Sequence, residues 1–374
     1  MNKFLLNERK IKICIILGTR PEIIKMAPII RECDARGLAY FVLHTGQHYS
    51  EKMDEVFFKD LNLAAPKYNL NVGGKPYRKQ VGIMVRDIMA ILQKEKPDVV
   101  IVQGDTISVL AGALAANKLG IKLVHHEAGL RSHDTSMLEE VIRVIVDHIS
   151  DFLMVPTADA FKNLRQEGKD LGKTIMTGNT IVDAVLQNIE IASKKTDILK
   201  KLHLKEGGYI LTTCHRAENV DKKEGLEKIL KGFGLIFNKF NIPILFPIHP
   251  RTKNKMIEFN LTLPKGILPI EPVGFLEFLQ LEKNAKLILT DSGGAQEEAF
   301  ILGIPCVTLR DSTERPETVK YGMNMLAGTN PKKILKFSEK MMNKKINKGV
   351  KKNPFGDGKT GARIIQIILK NIKK

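Results

Sequence analysis

Short, almost wholly apolar runs separated by helix-length segments constrain this chain more than any other feature. Ile11–Leu17, Tyr40–His44, Val99–Val102 and Lys122–His125 have the length and composition of buried strands. The segments between them, including Gln80–Lys94 and Val109–Leu119, pattern as helices, as does a stretch with Met53 and Val56-Phe57-Phe58. Alternating strands and helices predict a parallel, doubly wound α/β sheet. Phe152–Pro156 continues the series, and after the charged stretch Lys194–Lys205 a second one begins. Its strands are Tyr209–Thr213, Ile244–Pro247, Lys286–Thr290 and Cys306–Leu309. At 374 residues the chain suits two domains, each with its own core. We place one Rossmann-like domain at 1–185 and a second at 186–358. A closing helix at 359–374 is free to cross back to the first.

In open parallel sheets ligands bind at the carboxyl ends of strands, and the polar sets of this chain sit there. Gly18-Thr19-Arg20-Pro21-Glu22, followed by Lys25, ends the first strand; Thr45-Gly46-Gln47-His48, Gln103-Gly104-Asp105-Thr106 and His126-Glu127-Ala128-Gly129-Leu130-Arg131 end later ones. In the second half the sets are Thr213-Cys214-His215-Arg216-Ala217-Glu218, Pro247-Ile248-His249-Pro250-Arg251, Asp291–Glu298 and Arg310–Glu317. Each has a plain structural reading: Asp105 caps a helix, and Glu139, Glu297 and Glu298 favour a helix dipole. Their shared position at strand ends argues for a site. Asp291-Ser292-Gly293-Gly294 reads as a strand end, a tight Gly-Gly turn and a helix start, where unpaired N–H groups can receive phosphate.

A formal charge of +18 invites a nucleic-acid reading. Much of the surplus, however, is lysine on helical or tail segments such as Lys332-Lys333 and Lys351-Lys352, with no nucleic-acid module beside it. A basic site for a nucleotide diphosphate is the more economical account. The four cysteines, Cys14, Cys33, Cys214 and Cys306, are scattered without metal-ligand spacing, which suits a reducing cytoplasm. No stretch reaches the ~20 apolar residues of a spanning helix, so membrane insertion is not expected.

Together these loops resemble those of the UDP-N-acetylglucosamine 2-epimerases, over nearly the whole chain. The segments that carry the resemblance are Gly18–Glu22, Gln103–Thr106, His126–Arg131, Asp291–Glu298 and Thr313-Glu314-Arg315-Pro316-Glu317, in that order. The resemblance implies the two-domain glycosyltransferase-B architecture with an interdomain cleft, a homodimer, and interconversion of UDP-N-acetylglucosamine and UDP-N-acetylmannosamine. Neither metal nor NAD is implied, in keeping with the missing G-x-G-x-x-G.

Inverting C2 without redox requires loss of its proton as UDP leaves C1, giving 2-acetamidoglucal; UDP then returns as a proton arrives on the opposite face. Such chemistry needs a base, an acid, and cations or N–H groups around the departing diphosphate. By resemblance Asp105, Glu127 and Glu139 are the acid–base residues, and His215 assists the leaving group. Arg20, Lys25, Ser292, Gly293, Gly294 and Arg315 would meet the phosphates, Glu298 the ribose hydroxyls, and Phe278 the uracil. Gln47, His48, Arg216 and His249 resemble the lining of a second, activating site.

One segment departs from the family's Pro-Glu-Glu-x-Asn-Arg pattern, since this chain has Leu138-Glu139-Glu140-Val141-Ile142-Arg143. Leu138 gives up a preset helix start and Ile142 an amide. Glu139 and Arg143 stay four apart, at helical spacing, so a pair between them can form. Three other functions fit the residues: a hydrolysing epimerase releasing N-acetylmannosamine and UDP, a nucleotide-sugar glycosyltransferase, and a UDP-sugar-binding protein without turnover.

Overall fold

The computed structural model describes residues 11–47, 57–74, 77–344 and 353–372. His48, Met53 and Val56 lie outside them. Met1–Ala184 with Pro354–Lys374 forms one compact unit, and Val185–Asn353 forms another.

In the first unit, seven parallel strands run in the order β3-β2-β1-β4-β5-β6-β7. They are β1 (Lys12–Leu17), β2 (Ala39–His44), β3 (Tyr68–Asn69), β4 (Val99–Gln103), β5 (Lys122–His126), β6 (Phe152–Val155) and β7 (Thr174–Met176). The central strands are closed to water, with Ile13, Ile15, Val99, Val100 and Ile101 at 0% exposure. Each such side chain contributes on the order of 2 kcal/mol by burial. Helices α1 (Arg20–Ala35), α2 (Tyr77–Glu95), α3 (Ile107–Lys118) and α4 (Leu138–Ile149) belong to this unit. On one face Met84, Ile88 and Leu92 of α2 share a core with Ala111 and Ala115 of α3 and Ile142 and Val146 of α4.

The chain order reverses between β1 and β4. At such a reversal the two following loops diverge to opposite faces and leave a crevice. The loops are Gly18–Thr19 and Gly104–Thr106. Continuing through α5 (Ala158–Gln166), α6 (Thr180–Lys195) and the four-residue α7 (Ile198–Lys201), the chain passes into the second unit.

There, six parallel strands lie in the order β10-β9-β8-β11-β12-β13. They are β8 (Ile210–Thr213), β9 (Ile244–Pro247), β10 (Ile267–Ile270), β11 (Leu287–Thr290), β12 (Cys306–Thr308) and β13 (Asn324–Leu326). The reversal falls between β8 and β11, so the loops starting at Cys214 and Asp291 take the crevice position. The helices, in order, are α8 (Ala217–Val220), α9 (Lys223–Phe240), α10 (Pro250–Glu258), α11 (Phe275–Lys283), α12 (Gly293–Leu302), α13 (Pro316–Lys320) and α14 (Pro331–Met342).

A last helix, α15 (Thr360–Asn371), belongs to the first unit and packs on α1. Gly361 makes the approach possible, because a Cβ there would lie 2.9 Å from the Pro28 carbonyl oxygen. Asp183 accepts from the Gly361 N–H at 2.9 Å and fixes the start of α15. All four cysteines are free and buried. Among the described residues, no helix is long and apolar enough to cross a membrane.

Candidate active site

In the first unit the candidate carboxylates Glu127 and Asp105 are held by different means. Glu127 follows β5 directly and has φ +67, in the left-handed region that non-glycine residues occupy at a cost of about 1–2 kcal/mol. Three donors fix it there. Lys25 Nζ and Asn179 Nδ2 donate to Oε1 at 2.6 and 2.7 Å, and the Gln103 amide donates to Oε2. The side chain is 4% exposed.

Asp105 is partly exposed and receives Arg143, whose Nε and Nη2 both donate to Oδ2, at 2.8 and 2.5 Å. It does not cap α3. Thr106 does, its hydroxyl accepting from Val109 N at 3.3 Å, which leaves the Asp105 carboxylate available.

The Glu139–Arg143 pair that the helical spacing allows is not formed. Arg143 donates instead to Asp105 and, at 2.7 Å, to Glu140. Glu140 is the buried member of the two, and also accepts from Ser132 N and His133 N at 2.9 and 3.0 Å. Burial works against its ionisation, yet these donors and Arg143 hold its carboxyl below the usual range. Glu139 is exposed on α4. One residue of rotation on a helix turns a side chain by about 100°, so only one of two adjacent glutamates can face Asp105.

Beneath the crevice lies Glu22, which accepts from Gly18 N at 2.8 Å, Thr19 Oγ1 at 2.9 Å and Thr106 Oγ1 at 2.8 Å. Burial pushes its carboxyl up to about 7. The same cause pushes the buried His126 imidazole down to about 4, where it remains neutral beside Thr180. Gly18 leaves no room for a side chain, since a Cβ would lie 2.1 Å from both Ser108 Oγ and Thr45 Oγ1.

In the second unit Asp291, wholly buried, ties β11 to the loop after β8. Its Oδ2 accepts from His215 N and Arg216 N at 2.9 Å and from Asn219 Nδ2 at 3.1 Å. Oδ1 stands 3.5 Å from His215 Nδ1. Ser292 caps α12. Gly293 and Gly294 are not the tight turn expected from sequence: they form the first helical turn. A Cβ at either would meet nothing nearer than 3.8 Å, so the missing side chains leave the first N–H groups of α12 open to an anion.

Arg315 approaches Glu297, with Nε 2.6 Å from Oε1. Arg310 holds Glu314 through two bonds of 2.9 Å, and although burial opposes it, the guanidinium brings that carboxyl down to about 2. Glu282 of α11 is 0% exposed. Burial, then the nearby Glu298, pushes its carboxyl well above the usual range, so it keeps its proton.

A cavity of ≈ 150 Å³ is lined by His215, His249, Pro272, Val273 and Phe278 among others. His249, assigned from sequence to a second site, thus shares a cavity with His215 and Phe278, and its ring lies 5.5 Å from that of His215. His249 Nδ1 accepts from Arg251 N at 3.1 Å, so its proton sits on Nε2. Gln47 belongs to the first unit, where it accepts from Ser108 Oγ at 2.8 Å, whereas Arg216 and His249 belong to the second. Arg20 lies over the Phe57 ring at 5.1 Å. Among the described residues no group of three or more His, Cys, Asp or Glu could hold a metal ion.

Sequence reasoning missed Asn179, Glu22 as a titrating group, Glu140 and Glu282. Asn179 had a signal, the polar set Gly178-Asn179-Thr180 after β7. Glu282 had none, for it reads as an ordinary helix residue.

Two parallel sheets, each with its polar loops at the strand-order reversal, define an α/β protein of the glycosyltransferase-B class. A family model described as UDP-N-acetylglucosamine 2-epimerase matches residues 31–369. A UDP-N-acetylglucosamine 2-epimerase of Methanocaldococcus jannaschii is 54% identical over 96% of this chain and 98% of its own. A crystal structure of the M. jannaschii enzyme in complex with UDP-GlcNAc and UDP superposes with a TM-score of 0.89, at 54% identity, covering 96% of this chain and 100% of that one. A Pseudomonas aeruginosa UDP-2,3-diacetamido-2,3-dideoxy-D-glucuronate 2-epimerase is 37% identical over 96% of this chain and 99% of its own. The chain belongs to the UDP-N-acetylglucosamine 2-epimerase family.

Proposed function

We propose that this protein interconverts UDP-N-acetylglucosamine and UDP-N-acetylmannosamine without net hydrolysis. The observation that carries the proposal is Glu127, a buried carboxylate held in a left-handed backbone by Lys25, Gln103 and Asn179. Such strain and fixation suit a group that must meet one hydrogen of a substrate.

Asp105 and Glu127 divide the roles of base and acid. One takes the C2 proton as the C1–O bond breaks, the electron pair forms the C1=C2 bond, and UDP leaves with the bonding electrons. The other protonates C2 of the 2-acetamidoglucal on its opposite face as UDP adds back to C1. Glu139 is left out of this assignment because it is exposed.

UDP is held by the second unit. The first N–H groups of α12 and the Ser292 hydroxyl meet its phosphates, His215 assists its departure, Phe278 contacts uracil and Glu298 accepts from the ribose. Arg20 and Arg315 add positive charge for the diphosphate. Lys25 serves the carboxylate Glu127.

Incubation with UDP-N-acetylglucosamine should give a mixture of the two UDP-sugars with no lasting release of UDP. Stoichiometric UDP and free N-acetylmannosamine would identify the hydrolysing reaction instead. Unchanged substrate with folded protein would refute both.

A further inference from the structure

His125, the penultimate residue of β5, has its imidazole wholly buried, out of reach of any substrate. Its Nε2 lies 2.9 Å from the Gly104 carbonyl oxygen and its Nδ1 lies 2.6 Å from Asp147 Oδ1. The ring thus bridges a backbone carbonyl and a carboxylate. Asp147, on α4, accepts with its other oxygen from Gly129 N at 3.1 Å and Arg131 Nη2 at 2.7 Å. Arg131 in turn donates to Glu167 at 2.7 Å and to the Leu130 carbonyl at 2.8 Å.

Gly104 immediately precedes Asp105, and Gly129 lies two residues after Glu127. Both glycines are left-handed, with φ +83 and +81, so these backbones depart from the strands' geometry on either side of the reacting carboxylates. A Cβ at Gly129 would lie 2.4 Å from the Ala160 carbonyl oxygen, so only glycine fits at that point of the loop. One buried histidine–carboxylate pair therefore grips both loops, one through each partner.

We propose that His125 and Asp147 are positioning residues that hold Asp105 and Glu127 in register, so that removal of a proton from C2 and its return on the opposite face stay coupled. The inference rests on the epimerase reading above. With the register loosened, elimination still expels UDP and forms the C1=C2 bond, and the base passes its proton to water. The reprotonation that should follow is misaligned, and 2-acetamidoglucal escapes with UDP. A pair that merely filled the core would, when changed, lower the amount of folded enzyme and leave the products of each turnover as they were.

The test is the ratio of released 2-acetamidoglucal to epimer, measured by chromatography on folded His125→Asn and Asp147→Asn enzymes supplied with UDP-N-acetylglucosamine. We expect at least about a tenfold rise in that ratio, with kcat lower by about 100-fold and KM within about threefold of the parent. An unchanged ratio in a folded variant overturns the inference. Should neither buried variant fold, Glu167→Gln at the exposed end of the chain of contacts decides. A rise of about threefold is expected from it, and no rise refutes the inference. If the unaltered enzyme forms neither epimer nor glucal, the epimerase reading itself fails; an active parent with unchanged variants sinks only the positioning role.

Discussion

The Lys25 ammonium lies 2.6 Å from Glu127 Oε1, with side-chain exposures of 9% and 4%. A charge pair so removed from water is costly to form and more costly to break, because the survivor is left without compensation. Lys25→Met should therefore destabilise the protein by about 3–5 kcal/mol in urea unfolding. The same variant should lose most of its turnover, since Glu127 would no longer be fixed.

Asp105 and Glu139 separate two views of the proton chemistry. Asp105→Asn should lower kcat by about 100- to 10,000-fold, the usual contribution of a general acid or base. Glu139→Gln, altering an exposed side chain, should stay within about threefold of the parent. Steady-state kinetics on both decides, and equal losses would show that α4 turns Glu139 inward during turnover.

Glu22 should make stability depend on pH near neutrality. Its folded value is raised from 4.5 to about 7, so between these values the folded chain binds a proton that the unfolded chain does not. That contribution is complete below about 4.5, is lost as the pH rises through about 7, and amounts to at most about 3 kcal/mol. Urea unfolding at about pH 5 and about pH 8 should show the parent losing ground to Glu22→Gln as the pH rises.

Glu282 is tied to Glu298. Its side chain is wholly buried, and burial together with the neighbouring Glu298, to which it is hydrogen-bonded, raises its carboxyl well above the usual range. Glu282→Met keeps the volume but leaves Glu298 without that hydrogen bond, so it should lower stability by about 1–3 kcal/mol, read as a lower Tm.

The interior strands were legible because residues buried on both faces form unbroken apolar runs, as in Val99–Val102. Edge strands were not. β3, β7, β10 and β13 have two to four residues, and β10 carries Pro269 within its length rather than at its end, a position that suits an edge strand. Loop chemistry was legible as clusters at strand ends, since that position follows from the parallel sheet alone. Partners across the fold were not: that Arg143 chooses Asp105 and Glu140 over Glu139 depends on the rotation of α4 against β4, which local spacing does not encode. Nor could spacing show Lys25 on Glu127, 102 residues away.

The central claim is that C2 exchanges its proton through this chain's carboxylates, and hydrogen isotope at C2 tests it most directly. With UDP-N-acetylglucosamine in deuterated water, the UDP-N-acetylmannosamine formed should carry deuterium at C2, and Glu127→Gln should abolish its appearance. Epimer that keeps the original C2 hydrogen would contradict the account.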